Sequence, residues 1–131
     1  MFIEMEVKTK IQLEYIINCS PKVLYNRLST ASGLAEWFAD DVRVKGKIFT
    51  FVWDNTAQDA EMTLHKENKL VRYTWLNDEE EETYFEFKIN QDELTNDVSL
   101  IVIDFAEEKE AKETKSLWDS QIADLKHILG S

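Results

Sequence analysis

Paired carboxylates are the first groups in this sequence that could do chemistry. Asp40 and Asp41 are adjacent, and five acidic residues run from Asp78 to Glu82. Two carboxyl groups can act as general acid and general base when an apolar environment raises the pKa of one of them. Five consecutive acids are more typical of a solvated hairpin tip, and they lack the ligand spacing and glycine of a calcium loop. We therefore predict no catalytic residue and no metal site.

The other candidate nucleophiles and ligands are one cysteine and two histidines. Cys19 is the only cysteine, so no internal disulfide is expected, and no motif joins it to His65 or His127. No H-x-x-x-H or C-x-x-C pair occurs, which argues against a zinc site. The sequence also lacks G-x-G-x-x-G, P-loop and G-x-S-x-G motifs, so we predict no cofactor and no serine hydrolase chemistry.

The charge of the chain argues against two classes of partner. It carries 26 acidic and 15 basic residues, a formal net charge of −11. Nucleic-acid binding requires clustered Lys and Arg, and an anionic membrane surface would repel this chain. The acidity favours solubility or, alternatively, docking of a basic partner. No membrane span or signal peptide is recognisable, so we predict a cytoplasmic protein without nucleic-acid or membrane partners.

Hydrophobic periodicity predicts the elements that position these groups. Residues 7–17 alternate between apolar and polar types, which indicates a half-buried strand. Ser20 and Pro21 then form a helix-start signature, a hydroxyl cap followed by proline. A second short helix is predicted with Ser32 as its cap. Its apolar face carries three residues at i, i+3 and i+4: Leu34, Trp37 and Phe38.

The rest of the chain reads as six strands and one long helix. The strands are separated by polar turns, and the run from Val98 to Phe105 is apolar on both phases, as in a central strand. The C-terminal segment carries an amphipathic stripe of helical spacing, and Gly130 stands where that helix should stop. The predicted fold class is α+β, in the order β-α-α-β6-α, with a curved antiparallel sheet around the long helix. Trp37 and Phe38 are predicted to close one end of the space between sheet and helix.

This order, together with the stretch SPKVLYNRLSTASGLAEWFADDV, resembles the START-like superfamily, also called SRPBCC or helix-grip. The Ser-Pro helix start, the Leu-Tyr pair and the GLAEWF segment resemble the branch that contains the activator of the heat-shock-protein ATPase and its bacterial homologues. The terminal SLWDSQIADLKHILG is similar to the closing helix of the family. The resemblance covers residues 1–131 as a single domain.

The resemblance implies a cavity between sheet and C-terminal helix, which in this family often holds an apolar or amphipathic small molecule, and it implies no shared catalytic residue. Aromatic residues could line such a cavity or could equally fill it. The residues predicted for the cavity are Trp37, Phe38, Phe49, Phe51, Trp53, Tyr73, Trp75, Phe85, Phe87, Trp118 and Ile122. Polar contacts would come from Arg43, Arg72, Tyr73 or Tyr84, although strand phase could point Arg72 and Tyr84 outward.

Three functions are compatible with these observations. The first is a binding domain for a hydrophobic small molecule, without catalysis. The second is a protein-interaction or co-chaperone-like module that docks through its acidic face. The third is a cyclase-type or hydratase-type enzyme, which requires an ionisable group with a shifted pKa inside the cavity. Independently, the second apolar face of the strand from Val98 to Phe105 could be covered by another copy of the chain, in a homodimer.

Overall fold

The computed structural model describes residues 7–77 and 82–131. In this part of the chain seven strands and three α-helices follow the predicted order, with a 3₁₀ turn at Glu108–Glu110 before the last helix. The elements are β1 (Lys8–Ile16), α1 (Pro21–Ser29), α2 (Ala31–Leu34), β2 (Asp41–Lys45), β3 (Ile48–Trp53), β4 (Thr56–Lys66), β5 (Leu70–Trp75), β6 (Tyr84–Gln91), β7 (Val98–Glu107) and α3 (Ala111–Leu129).

The strands form one sheet in the order β1-β7-β6-β5-β4-β3-β2, and every neighbouring pair is antiparallel. Strands β2 to β7 are a meander of consecutive neighbours, and β1 adds to the free edge of β7. The register places Leu13 opposite Val102, and Phe87 opposite the same residue on the other side. The α+β helix-grip order predicted from the sequence is confirmed.

The first two helices each begin with a hydroxyl cap, but only the first cap is the predicted residue. Ser20 caps α1 as expected, since its hydroxyl accepts a hydrogen bond from the Val23 amide at 3.2 Å. The predicted Ser32 cap is wrong. Thr30 caps α2 instead, because its hydroxyl accepts from the Gly33 amide at 3.0 Å. The short helix therefore begins one residue after Thr30.

Trp37 and Phe38 do not lie on a face of α2, as the spacing predicted. The helix ends at Leu34, and both aromatic residues lie in the turn that follows it. The Phe38 amide still donates to the Leu34 carbonyl at 2.8 Å, so one helical turn is continued without a regular helix. Both rings are buried, and the turn rather than the helix carries them into the space between sheet and α3.

The long C-terminal helix lies against the concave face of the sheet, as predicted. Trp118, Ile122 and Leu125 are its buried stripe. Gly130 ends it in the left-handed conformation with φ of 71°, which confirms the predicted stop. The Tyr15 hydroxyl on β1 donates to the Asp119 carboxylate at 2.7 Å and ties the sheet edge to the helix. No helix in the described ranges is both long and apolar enough to cross a bilayer.

Candidate ligand groove

Aromatic side chains fill the space enclosed by the sheet and α3. The rings of Tyr73 and Phe85 stack with centroids 5.0 Å apart, and those of Phe38 and Phe85 stack at 5.1 Å. Directly beneath Trp118, the Phe38 ring stacks at 5.7 Å and the Phe87 ring meets the indole edge-on at 5.8 Å. These rings occupy the space directly below Trp118. Some of the predicted cavity residues lie in this core and line neither of the two grooves described below: Phe49, Phe51, Tyr73, Phe87 and Ile122.

An open cavity of about 340 Å³ runs along the edge of this core, between the sheet and one side of α3. We call it the Trp118 groove. Five of the predicted aromatic residues line it: Phe38, Trp53, Trp75, Phe85 and Trp118. Leu117 extends the apolar lining, and Phe105, whose ring packs against Tyr84, also borders the groove. Its polar groups are few, namely Gln58, Asp104, Thr114 and Gln121. Such a mixture of aromatic wall and sparse polar groups is characteristic of small-molecule sites.

Asp104 is the charged residue of the Trp118 groove, and the phase of β7 places it there. It continues the alternation of Leu100 and Val102, which face α3. One carboxylate oxygen, Oδ2, accepts a hydrogen bond from the Trp118 indole Nε1 at 2.8 Å. The other, Oδ1, accepts from the Phe105 amide, also at 2.8 Å. The carboxylate is thus held at the junction of the sheet and the helix.

The environment of Asp104 raises its pKa. Burial among apolar groups is the largest cause, because it disfavours the charged form. The hydrogen bonds from Trp118 and the Phe105 amide act in the opposite direction, as does the positive charge of Lys8. The net effect is a carboxyl group whose pKa lies above its ordinary range. Asp104 is thus an ionisable group with a shifted pKa, but among the described residues that line the groove no second ionisable side chain accompanies it as an acid–base partner.

The backbone carbonyl of Phe38 separates the Trp118 groove from a second groove. It accepts two hydrogen bonds, from the Trp53 indole at 2.8 Å and from the Gln121 amide nitrogen at 3.0 Å. These three residues line both grooves. They therefore form a partition that also ties the turn after α2 to β3 and α3.

The second groove, which we call the Glu36 groove, has a volume of about 610 Å³ and lies at the far end of α3. Its lining is more polar than that of the Trp118 groove, and two of its acidic residues have partners. Glu36 pairs with Arg27, and the Asp40 carboxylate accepts from the Asp54 amide at 3.0 Å. Trp37 lines only this groove of the two. The complete lining is Ala35, Glu36, Trp37, Phe38, Ala39, Asp40, Trp53, Gln121, Asp124, His127 and Ile128.

The side chains predicted to supply polar contacts line neither groove. Arg72 lies on the convex face, where its Nε is 2.7 Å from Glu86 Oε1 and its guanidinium covers the Tyr84 ring at 4.0 Å. Arg43 is exposed and pairs with Asp41. The Tyr73 hydroxyl donates to the Leu28 carbonyl at 2.7 Å within the core, where burial raises its pKa.

The remaining chemistry-bearing residues form no site among the described residues. His65 and His127 are exposed. Burial raises the pKa of the Cys19 thiol, which favours the unreactive protonated form. Within residues 7–77 and 82–131, no group of three or more His, Cys, Asp or Glu could hold a metal ion. Of the acidic run, Asp78 to Glu81 lie outside the described residues, and Glu82 is exposed.

The convex face of β7 was the predicted surface for a homodimer. Ile103 on this face is only 3% exposed within a single chain. Phe105 is half-buried and packs edge-on against Tyr84, with centroids 4.9 Å apart. Flanking side chains thus cover much of this convex apolar face, and self-association through it stays a prediction.

Sequence reasoning missed Asp104 and the glutamines of the groove. One signal could have found the aspartate, because it is the only charged residue between Val98 and Ala106. Its phase is that of Leu100 and Val102, so the strand that must face the helix carries one carboxylate toward it. Nothing in the spacing of Gln58 or Gln121 distinguishes them from surface glutamines.

The chain matches known proteins over nearly its whole length. The START-like superfamily domain matches residues 5–131. The solution NMR structure of BfR322 from Bacteroides fragilis is 40% identical, with a TM-score of 0.67 over 93% of this chain and 91% of that one. A search of curated proteins found no match.

Two further solved structures share the fold at lower identity. The Aha1 dimer from Colwellia psychrerythraea is 21% identical, with a TM-score of 0.77 over 90% of this chain and 93% of that one. Protein MLL2253 from Mesorhizobium loti is 18% identical, with a TM-score of 0.77 over 93% of this chain and 97% of that one. These identities support the fold alone. From the family match, the element order and the position of α3, this chain belongs to the START-like superfamily.

Proposed function

We propose that this protein binds a hydrophobic or amphipathic small molecule in the Trp118 groove, without catalysis. The observation that carries the proposal is an open space of about 340 Å³ between the sheet and α3, with aromatic walls and few polar groups. Ligand sites in proteins combine this concavity and apolar lining with a small number of placed hydrogen-bonding groups. The packed core beside it provides a rigid wall.

The filled interior limits what the ligand can be. A molecule bound here would lie along one side of α3 rather than inside the sheet, because Phe38 and Phe87 already occupy the space below Trp118. The partly exposed indoles of Trp53 and Trp75 would lose contact with solvent on binding. Burial of this aromatic surface would contribute most of the affinity.

The test is a neutral fluorescent probe combined with a variant that fills the groove. We expect N-phenyl-1-naphthylamine to gain fluorescence with the wild-type protein. Thr114 lines the groove from α3, so Thr114→Phe should abolish this gain. Ser116 is exposed two residues further and lines neither groove, so Ser116→Phe is the matched control and should bind like the wild type. Absence of any binding, or unchanged binding by Thr114→Phe, would contradict the proposal.

A further inference from the structure

The Trp118 groove presents one charged side chain to a bound molecule. Among the described residues that line it, only Asp104 carries a formal charge. Around it are aromatic rings and neutral amide or hydroxyl groups. The head group of an amphipathic ligand would therefore meet a single carboxylate and no cation of the groove lining.

The carboxylate of Asp104 has acceptor capacity that its protein hydrogen bonds do not use. A carboxylate can accept about four hydrogen bonds. The two that the structure shows, from the Trp118 indole and the Phe105 amide, go to different oxygens and come from neutral donors. Each oxygen keeps a lone pair for a donor on a ligand. A hydrogen bond in which the donor or the acceptor is ionised is about twice as strong as a neutral one, and an ammonium donor adds the attraction between opposite charges.

The charge around the groove favours a cationic ligand over an anionic one. The adjoining Glu36 groove is lined by Glu36, Asp40 and Asp124, with His127 beside them. Lys8 opposes a cation here, because it lines a neighbouring cleft that shares Asp104 and its positive charge acts on that carboxylate, but the acidic residues outnumber it. The whole chain carries a net charge of −11, so its field concentrates cations and repels anions. The indole faces of the groove add a second attraction for a cation.

We propose that the ligand of the Trp118 groove is an amphipathic amine, whose apolar body lies against the aromatic rings and whose ammonium group donates to Asp104. This inference rests on the proposed function and names the chemical class of its ligand. It excludes fatty acids and other anionic amphiphiles as the preferred ligands.

Three probes with one ring system and different head groups test this inference. They are 2-(1-naphthyl)ethylamine, 2-(1-naphthyl)ethanol and 1-naphthylacetate, measured by calorimetry at pH 8 and low ionic strength. We expect the amine to bind about tenfold more tightly than the alcohol, and the acid to bind most weakly. In Asp104→Asn the advantage of the amine over the alcohol should disappear, while the alcohol binds as before.

A second variant separates a local contact from the general charge. Glu93→Gln removes one negative charge from a remote exposed turn and should leave the tenfold preference intact. Equal binding of the three probes, tighter binding of the acid, or an unchanged preference in Asp104→Asn would overturn the inference while leaving a binding groove. If none of the probes binds, both this inference and the proposed function are contradicted.

Discussion

The interior of the sheet and the groove beside it use the same kinds of residue in different ways. In the interior, Phe51, Tyr73 and Phe87 are in ring contact on several sides and no exposed surface remains. At the groove, Trp53 and Trp75 are packed on one side and open on the other. The difference lies in position along the strands rather than in residue type. An aromatic-rich sequence therefore predicts a core and a binding surface equally well.

The largest expected effect is a difference in the free energy of unfolding between a variant of the core and a variant of the groove. Phe87→Ala removes a buried ring and leaves a cavity, so we expect a loss of about 3 to 5 kcal/mol in the free energy of unfolding. Trp75→Ala removes a ring that is only partly exposed, and should cost less, about 2 to 3 kcal/mol, because less apolar surface loses its burial. Urea denaturation measures both values. Similar losses for the two variants would erase the distinction between core and groove.

A matched pair of tryptophan variants tests the hydrogen bond at the boundary. Trp118→Phe keeps an aromatic ring above Phe38 but removes a donor to the Asp104 carboxylate, which should cost about 1.5 to 3 kcal/mol. Trp37→Phe removes a donor to the neutral Arg27 carbonyl, 2.9 Å away, and should cost about 1 kcal/mol. Both parent residues are buried, so volume changes are comparable. The interpretation fails if Trp37→Phe is the more damaging of the two in equilibrium unfolding.

The partition between the grooves should respond cooperatively to loss of its two donors. Trp53→Phe and Gln121→Met each leave the Phe38 carbonyl with one hydrogen bond, so each should cost about 1 kcal/mol. The double variant leaves that carbonyl without either side-chain donor and should lose more than the sum of the single variants. A double-mutant cycle by thermal or urea unfolding measures the coupling, and strict additivity would argue against a shared acceptor.

The smallest expected effect is a pH dependence of opposite sign at two aspartates. The raised pKa of Asp104 means that the folded state favours its protonated form, so its contribution to stability falls as pH rises from about 4 through that pKa. The hydrogen bond from Tyr15 lowers the pKa of Asp119, whose contribution is present above about pH 4 and is lost below it.

The measurement compares each asparagine variant with the wild type across pH. Relative to the wild type, Asp104→Asn should gain stability as pH rises from 3 to 7, and Asp119→Asn should lose it. Besides Trp118 and the Phe105 amide, the charged group near Asp104 is Lys8 on β1, which stays protonated throughout this range. Parallel pH profiles for the two variants would contradict the assigned environments.

Most of the fold could be predicted because its signals are local. The alternation of residues 8–16, the Ser20 cap and the left-handed Gly130 each act over a few residues. The short helix was predicted less well, since three apolar residues at helical spacing fit a tight turn as readily as a helix. The boundary there depends on the Thr30 cap and on the close approach of Gly33, where an added Cβ would lie 2.5 Å from the Asn26 carbonyl oxygen.

The candidate site was harder to predict because it depends on packing between distant elements. The pairing of Asp104 with Trp118 joins β7 to α3 through side-chain geometry that no spacing encodes. Whether Phe38 fills the interior or leaves it open depends on how ring volumes fit together, and interiors pack to high density. The sequence therefore supported a list of aromatic residues but not its division into core and groove.

The most direct test of this division is the response of the four indole N–H signals in a proton–nitrogen correlation spectrum during titration with 2-(1-naphthyl)ethylamine. We predict that the signals of Trp53, Trp75 and Trp118 move with the amine, while that of Trp37 and the backbone amides of Phe51 and Tyr73 stay in place. Movement of those core amides together with all four indoles would place the ligand inside the sheet, and no movement of any indole would leave the groove without a ligand. Either result would contradict a packed interior with its binding surface along α3.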